Sequence, residues 1–335
     1  QKGPTVRALL SKQPGGPDSL VLEEVPEPAA GPGQVVVEVE AVGVNYPDVL
    51  IIQDQYQIKP ARPFAPGSEL AGVVIALGEG VTDLSVGDRV AAVPGFGAMV
   101  EKIAVAANAC VPVPESMPTD VAASMIMTYG TSYHALVDRA QAREGESLLV
   151  LGASGGVGIA AVQIGAALGL RVIAACSSQE KVDLCLANGA SDGIVYPHGP
   201  LERAEQKALS DEVKSLGGGG VDIVYDAIGG DYAEPAVRAM NWEGRFLVVG
   251  FVAGIPRLPL NLTLLKGCNV LGVFWGAFTM ALPEKNAANI AELFAMYDSG
   301  RINPIISARF PLDRGAEAIS ELEERRATGK VVVTV

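Results

Sequence analysis

One stretch constrains this chain more than any other. Residues 147–178 read Ser-Leu-Leu-Val-Leu-Gly-Ala-Ser-Gly-Gly-Val-Gly, then an apolar helix, then Arg-Val-Ile-Ala-Ala-Cys-Ser-Ser. Leu148 to Leu151 is a short apolar run ended by Gly152, and from Gly156 to Leu170 the residues Val157, Ala160, Ala161, Ile164, Ala167 and Leu168 share one helical face. Strand, glycine turn, helix and strand in that order form the first βαβ unit of a parallel sheet, with N–H groups at the helix start that bind phosphate. Gly155 and Gly156 let the backbone approach a pyrophosphate, and Gly158 lets the helix pack near the sheet. The fingerprint is a variant, because Ala153, Gly155 and Gly158 stand at its glycine positions. The segment lacks charge as far as Leu170, but Gly155-Gly156 splits it into pieces too short to span a membrane.

The second strand of the unit ends at Cys176 with no acidic residue. A site for NADH usually places Asp or Glu there to hold the adenosine ribose hydroxyls. Instead the chain continues Ser177-Ser178-Gln179-Glu180-Lys181. Two hydroxyls and a cation one helical turn on suit a 2′-phosphate, where a carboxylate would repel. NADPH is therefore favoured over NADH. The plainer alternatives are that Ser178 caps a helix and that Lys181 is a solvated helix lysine.

With 335 residues, 49% hydrophobic and 19% charged, the chain is long enough for two globular domains with separate cores. A net charge of −13 argues against nucleic acid or an anionic membrane as partner, so an anionic ligand needs a local cluster of cations. The four cysteines, 110, 176, 185 and 268, are too dispersed for a metal knuckle and point to a reducing compartment, the cytoplasm in the simplest case. The start at Gln1 leaves a removed leader, and with it the mitochondrial matrix, open.

Before residue 119 the texture is β-rich. Runs at 5–10, 20–25, 35–44, 70–77, 89–93 and 100–106 read as strands, with a short helix opened by Asn45-Tyr46-Pro47-Asp48 and a linker marked by Pro112, Pro114 and Pro118. Helical patterns follow at 120–127 and 131–140. After the βαβ unit, strands at 193–196, 221–228, 245–249 and 270–275 alternate with helices at 179–188, 201–216 and 231–240. That alternation predicts a doubly wound parallel sheet of six strands in the order 3-2-1-4-5-6. A helix from Pro283 to Ser299, another near Arg314 to Arg326 and a strand at 331–335 do not extend it.

Several motifs together resemble the medium-chain dehydrogenase/reductase superfamily, and within it the zinc-independent quinone oxidoreductase branch. They are Ala41-Val42-Gly43-Val44-Asn45-Tyr46-Pro47-Asp48, Pro66-Gly67-Ser68-Glu69-Leu70-Ala71-Gly72, Val86-Gly87-Asp88-Arg89-Val90, Gly130-Thr131-Ser132-Tyr133, the glycine turn, Asp226-Ala227-Ile228-Gly229-Gly230 and Gly329-Lys330-Val331. The resemblance implies an α/β fold: a six-stranded Rossmann domain at 125–276 and a discontinuous, β-rich GroES-like catalytic domain at 1–124 and 277–335. Zinc members carry Cys where this chain has Asn45 and His where it has Ser68, and the four-cysteine structural lobe is absent. No metal is expected. The resemblance places Asn45 and Thr131 at the nicotinamide and its ribose, and Ser154, Gly155, Gly156 and Val157 at the pyrophosphate. It places Lys181 and Tyr196 around the 2′-phosphate, with Gly250, Phe251, Phe274 and Trp275 on loops lining the nicotinamide pocket. Arg326 or Lys330 matches a basic residue reaching the cofactor. Asp48 and Glu69 read as braces for turns. A homodimer through the edge strand near Val270 to Trp275 is also expected.

The chemistry expected is hydride transfer from NADPH to a quinone or another carbonyl-conjugated alkene. The cofactor supplies the hydride and the protein stabilises developing charge. Tyr46 and Tyr56 are the candidate donors to the acceptor oxygen. Tyr56, in Asp54-Gln55-Tyr56-Gln57, stands where the more distantly similar enoyl-thioester reductases carry a proton-donating tyrosine, so a 2-enoyl thioester is the alternative substrate. A second alternative is a protein that binds NADPH without turnover, as reservoir or redox sensor.

Overall fold

The structure is a computed structural model and describes residues 3–335. It divides into two compact units, Gln1–Met127 with Pro304–Val335, and Thr128–Asn303. The first unit begins with β1 (Thr5–Leu10) and β2 (Val21–Pro26), an antiparallel pair. Then come β3 (Gln34–Val44), α1 (Tyr46–Ile51), β4 (Glu69–Leu77), β5 (Arg89–Ala92), β6 (Lys102–Ala106) and β7 (Cys110–Pro112). In β3, Val35 to Val37 and again Ala41 to Val44 are all buried, and exposed positions occur only at Glu38 and Glu40. The strand is thus covered on both faces towards its two ends and on one face in its middle.

The division falls inside α2 (Thr119–Tyr133). Two helices, at 120–127 and 131–140, were expected; one continuous helix runs through Gly130 and passes into a π-helical turn at His134–Arg139. Gly130 does not break the helix but makes room within it. A Cβ there would lie 3.0 Å from the Trp275 indole.

The second unit contains β8 (Ser147–Leu151), α3 (Gly156–Ala167), β9 (Arg171–Cys176), α4 (Gln179–Ala187), β10 (Asp192–Val195), α5 (Arg203–Leu216) and β11 (Val221–Asp226). It continues with α6 (Ala233–Arg238), β12 (Met240–Val248), α7 (Asn261–Lys266), β13 (Asn269–Gly272), α8 (Trp275–Ala281) and α9 (Pro283–Asp298). Its six strands run β10-β9-β8-β11-β12-β13, every neighbouring pair parallel, which is the doubly wound order the sequence predicts. Leu148, Leu149, Val150 and Leu151 are wholly buried, as central strands flanked by helices must be. Each such side chain contributes about 1.5–3 kcal/mol through removal from water.

Three features of this unit depart from expectation. The sixth strand stops at Gly272, and Trp275 opens α8 instead of ending the strand. A short helix, α7, occupies part of what reads as loop. The chain leaves the unit after Asn303, not near 277, because polar bonds fasten the intervening helices. Trp275 Nε1 donates to Asn286 Oδ1 at 3.2 Å, Asn289 Nδ2 to Asp138 Oδ2 at 2.8 Å, and Gln163 Nε2 to the Asn303 carbonyl at 2.8 Å.

The chain then returns to the first unit with β14 (Ile306–Pro311), α10 (Gly315–Glu323) and β15 (Lys330–Thr334). β15 inserts between β14 and β3 in a sheet ordered β14-β15-β3-β4-β5-β7, with β6 also on β3. This insertion carries Lys330 into the interior. No helix among the described residues is long and apolar enough to cross a membrane.

Candidate functional site

In the second unit, the β8 to α3 turn has the geometry of an anion cradle. Gly152 takes φ +72°, a left-handed conformation that suits glycine, and its N–H and that of Ala153 bond the Ala175 carbonyl at 3.1 and 3.2 Å. The turn is thereby fastened to the end of β9. Gly155 caps α3, and Gly156 and Val157 open it half-exposed, with no acidic residue in the first turn. The first N–H groups of a helix have no intrahelical partner and carry positive potential outward. At Gly158 a Cβ would meet the Gly152 carbonyl at 2.1 Å, so only glycine lets the helix sit this close.

At the end of β9, Lys181 Nζ donates to Ser177 Oγ at 3.3 Å, while Ser178 Oγ accepts from the Lys181 N–H at 3.4 Å. Ser178 is therefore the N-cap of α4, whose first turn carries the cation. Tyr196 lies one residue beyond β10. Its N–H bonds the Cys176 carbonyl at 2.9 Å and its ring packs on Tyr232 at 4.7 Å between centroids, so it belongs to the buried wall of this corner. The turn residues Ser154 to Val157 lie at the carboxyl end of β8, and Ser177, Ser178 and the first turn of α4 at that of β9, where ligands of such sheets bind.

The other residues expected at the cofactor take several places in this unit. Thr131 lies half-buried on α2. Gly250 bonds the Asp226 carbonyl at 3.2 Å, and Phe251 and Phe274 are exposed, at 46% and 62%. Trp275 is buried, its ring against Gly130 and its N–H on Asn286. It supports the neighbouring backbone. Asp226, buried behind the β11 turn, holds the Ile228 and Gly229 N–H groups at 3.0 and 2.8 Å, and burial pushes its carboxyl up to about 6.

In the first unit a buried polar cluster forms where β3, β4, α1 and β15 meet. Asn45 caps α1. Its backbone N–H bonds Asp48 Oδ2 at 2.8 Å, and its Nδ2 bonds Ser68 Oγ at 3.0 Å and Glu69 Oε1 at 2.9 Å. Both amide hydrogens are engaged inside the cluster. Lys330 Nζ donates to Asn45 Oδ1 and Glu69 Oε1, each at 2.7 Å, and to the Val44 carbonyl at 3.0 Å. Its side chain is 2% exposed and that of Glu69 1%, a fully interior ion pair. Glu69 Oε2 accepts from the Met127 N–H at 3.0 Å. Asp48 accepts from the Gly67 N–H at 3.1 Å, yet burial dominates and pushes its carboxyl up to about 7.

Lys330 was expected to reach toward a cofactor; its ammonium is committed to this cluster. Arg326 pairs with Glu321 and Glu324 on the surface of α10 and the turn after it. Tyr46 and Tyr56 are half-buried on the same core. Burial, and secondarily the charge of Asp48, push the Tyr56 phenol above its ordinary value, so it holds its proton at neutral pH. Sequence reasoning treated Asp48 and Glu69 as turn braces and missed that Glu69 pairs with Lys330. The one available signal was an acidic residue in Gly-Ser-Glu-Leu, a segment otherwise reading as a buried strand start.

The comparisons with known proteins agree with this fold. Residues 31–115 match the family model for the alcohol dehydrogenase GroES-like domain, and residues 156–292 that for zinc-binding dehydrogenase. Quinone oxidoreductase-like protein 2 of Bos taurus is 35% identical over 99% of this chain and 93% of its own length. Among solved structures, a mycobacterial protein complexed with NADPH superposes with TM-score 0.90 at 30% identity, covering 98% of this chain and 100% of its own. The quinone oxidoreductase of Thermus thermophilus, solved alone and with NADPH, gives 0.80 at 34% identity over 98% and 100%. The chain belongs to the medium-chain dehydrogenase/reductase superfamily, among its quinone oxidoreductase-like members.

Part of that superfamily binds zinc, but the donor set here does not fit the ion. Zinc takes thiolate, imidazole or carboxylate donors in a tetrahedron. Where the zinc members place Cys and His, this chain has the amide of Asn45 and the hydroxyl of Ser68. Of the two carboxylates beside them, Glu69 is already neutralised by an ammonium at 2.7 Å, and Asp48 is spent on the Asn45 and Gly67 N–H groups.

Proposed function

We propose that this protein is an NADPH-dependent reductase that passes a hydride to quinones or other carbonyl-conjugated alkenes without a metal. One observation carries the reading. β9 ends without an acid, a lysine held at 3.3 Å from a serine hydroxyl stands there in the first turn of α4 beside Glu180, and the start of α3 is free of acidic residues. NADPH, when bound, supplies the hydride.

The chain's own residues do the rest. Ser154, Gly155, Gly156 and Val157 take the pyrophosphate. Ser177, Ser178 and Lys181 take the 2′-phosphate against the wall built by Tyr196. Thr131, Gly250, Phe251 and Phe274 serve the nicotinamide end, with Trp275 as support. Asn45, bound at both ends of its amide, fixes the loop that carries Tyr46. A reduced quinone spreads its charge over the ring, so its formation asks for little acid catalysis from the protein. A 2-enoyl thioester is the second reading, favoured by the raised phenol of Tyr56, which stays protonated and can donate.

Stopped-flow oxidation of bound NADPH by a panel of quinones and enones tests the function. Rapid oxidation by at least one acceptor is expected; tight binding with no oxidation by any would make this a carrier or sensor of NADPH. For the cofactor, Lys181→Ala is expected to weaken NADPH by about 1–3 kcal/mol and NADH hardly at all, through loss of one charge-assisted contact. Calorimetric titration of both cofactors reads it. Equal affinity of the intact protein for the two would defeat the phosphate assignment.

The reading includes a homodimer joined at β13. That strand is the edge of the parallel sheet, with Val270 43% exposed and, in the segments just before and after it in the chain, Ile255, Leu260, Leu264 and Met280 each at least 77% exposed. Paired edges would cover that apolar skin. Light scattering should give twice the chain mass for the protein and a shift to the single-chain mass for Val270→Lys. The four cysteines, all free, suit a reducing compartment such as the cytoplasm.

A further inference from the structure

Two buried thiols that hydride transfer does not use lie directly behind the phosphate corner. Cys176 is the last residue of β9 and Cys185 is on α4, and their sulfurs stand 3.7 Å apart. The chain between them carries Ser177, Ser178 and Lys181. Both thiols are buried and both are free. The pair is not symmetric. The contact with the Cys185 thiol holds Cys176 below its ordinary value, helped by the side chain and backbone of Ser154 and by the Lys181 charge, against the opposing effect of burial. The same contact, with burial, pushes Cys185 up. Cys176 is thus the more nucleophilic sulfur, and the thiolate is the reactive form.

We propose that Cys176 and Cys185 form a redox modification site, closed to a disulfide by a hydroperoxide and reopened by a dithiol. The Cys176 sulfur attacks the peroxide oxygen, the O–O bond breaks, and sulfenic acid and one water result when the oxidant is hydrogen peroxide. The Cys185 sulfur then displaces the sulfenic oxygen, which leaves as a second water with the Cys185 proton. Two thiols have lost two electrons to one peroxide. A disulfide spans about 2.05 Å, so the sulfurs must close by about 1.7 Å from their 3.7 Å separation. Burial sets the size of the oxidant, and hydrogen peroxide is little larger than water.

The consequence follows from position. The new bond closes a short loop that contains all three residues of the phosphate corner, and draws the end of β9 toward α4. The Lys181 ammonium and the Ser177 hydroxyl are then held in a geometry set by the disulfide. Oxidation therefore weakens NADPH, an effect that rests on the phosphate assignment above; formation of the bond does not.

The test treats the full chain with hydrogen peroxide, alkylates the remaining thiols and maps peptides by mass. Two of the four thiols should disappear, with a linked pair of peptides carrying Cys176 and Cys185 that dithiothreitol separates. The oxidised protein should bind NADPH about tenfold more weakly, as expected when one charge-assisted contact is displaced, and regain affinity on reduction. Cys185→Ala should form no link and keep its NADPH affinity after mild oxidation. Should that variant fail to fold, reversal by dithiothreitol in the unaltered protein carries the test. Four thiols still open to alkylation, or a link through Cys110 or Cys268, would overturn the site. A link without change in NADPH affinity would overturn its coupling to the cofactor. A reduced protein that binds NADPH and NADH alike would overturn the phosphate assignment and leave the modification site standing.

Discussion

Replacing Lys330 by methionine is expected to cost about 3–5 kcal/mol of unfolding free energy, the range for removing one partner of an interior ion pair. The carboxylate of Glu69, 1% exposed, would keep the Asn45 amide and the Met127 N–H, with its strongest partner gone. Urea titration measures the loss. The double variant Lys330→Met with Glu69→Gln should recover more than half of it, because it removes the stranded charge. A single-variant cost under about 1 kcal/mol, the level of an exposed pair, would mean that the ion pair is not interior in solution.

The same substitution has a pH signature through Asp48. Burial holds that carboxyl at about 7 in the folded chain, above its value when unfolded. Stability from this group is complete at low pH, where both states are protonated, and drains away as pH climbs from the ordinary carboxylate range through 7. The Lys330 cation opposes the shift, so its removal pushes Asp48 higher. The deficit of the variant should therefore be constant at acid pH, where Asp48 is protonated in both folded proteins, and widen as pH rises through about 7. A deficit independent of pH would disconnect Lys330 from Asp48.

Tyr56→Phe is expected to separate two substrate classes. Turnover of an enone or a 2-enoyl thioester should fall by about 10²- to 10⁴-fold, the range for loss of a general acid, while simple quinones keep nearly their full rate. The phenol is held protonated by burial and by the nearby Asp48 charge, which makes it a donor at neutral pH. A quinone does not need that proton in the hydride step; an isolated enolate does. Steady-state kcat on matched quinone and enone acceptors gives the comparison. Unchanged rates on both would reduce Tyr56 to a packing residue, and an equal fall on both would point to a disturbed fold.

What could be read from the sequence was whatever is written locally. The β8 to β9 unit announces itself because its strands are continuous apolar runs, its helix has a period near 3.6, and its turn is glycine. The missing acid after Cys176 is legible for the same reason. Gly130 misled, since glycine inside a helix reads as a break, and only the Trp275 ring, far along the chain, explains why a glycine stands inside a helix that continues. The Lys330 to Glu69 pair was invisible because its members lie 261 positions apart and a lone lysine before a valine run reads as surface charge. The Cys176 and Cys185 pair was visible as two residues but not as neighbours, since that depends on how α4 folds back on β9.

The insertion of β15 beside β3 has a consequence for biosynthesis. β3 waits for a neighbour in which Lys330 bonds a residue 286 positions earlier, and at about 5–20 residues per second the nascent chain spends roughly 15–60 s without it. The intervening stretch holds the second unit as one unbroken segment, so that unit emerges whole from the ribosome while Ala41 to Val44 of β3 still lack their partner strand β15.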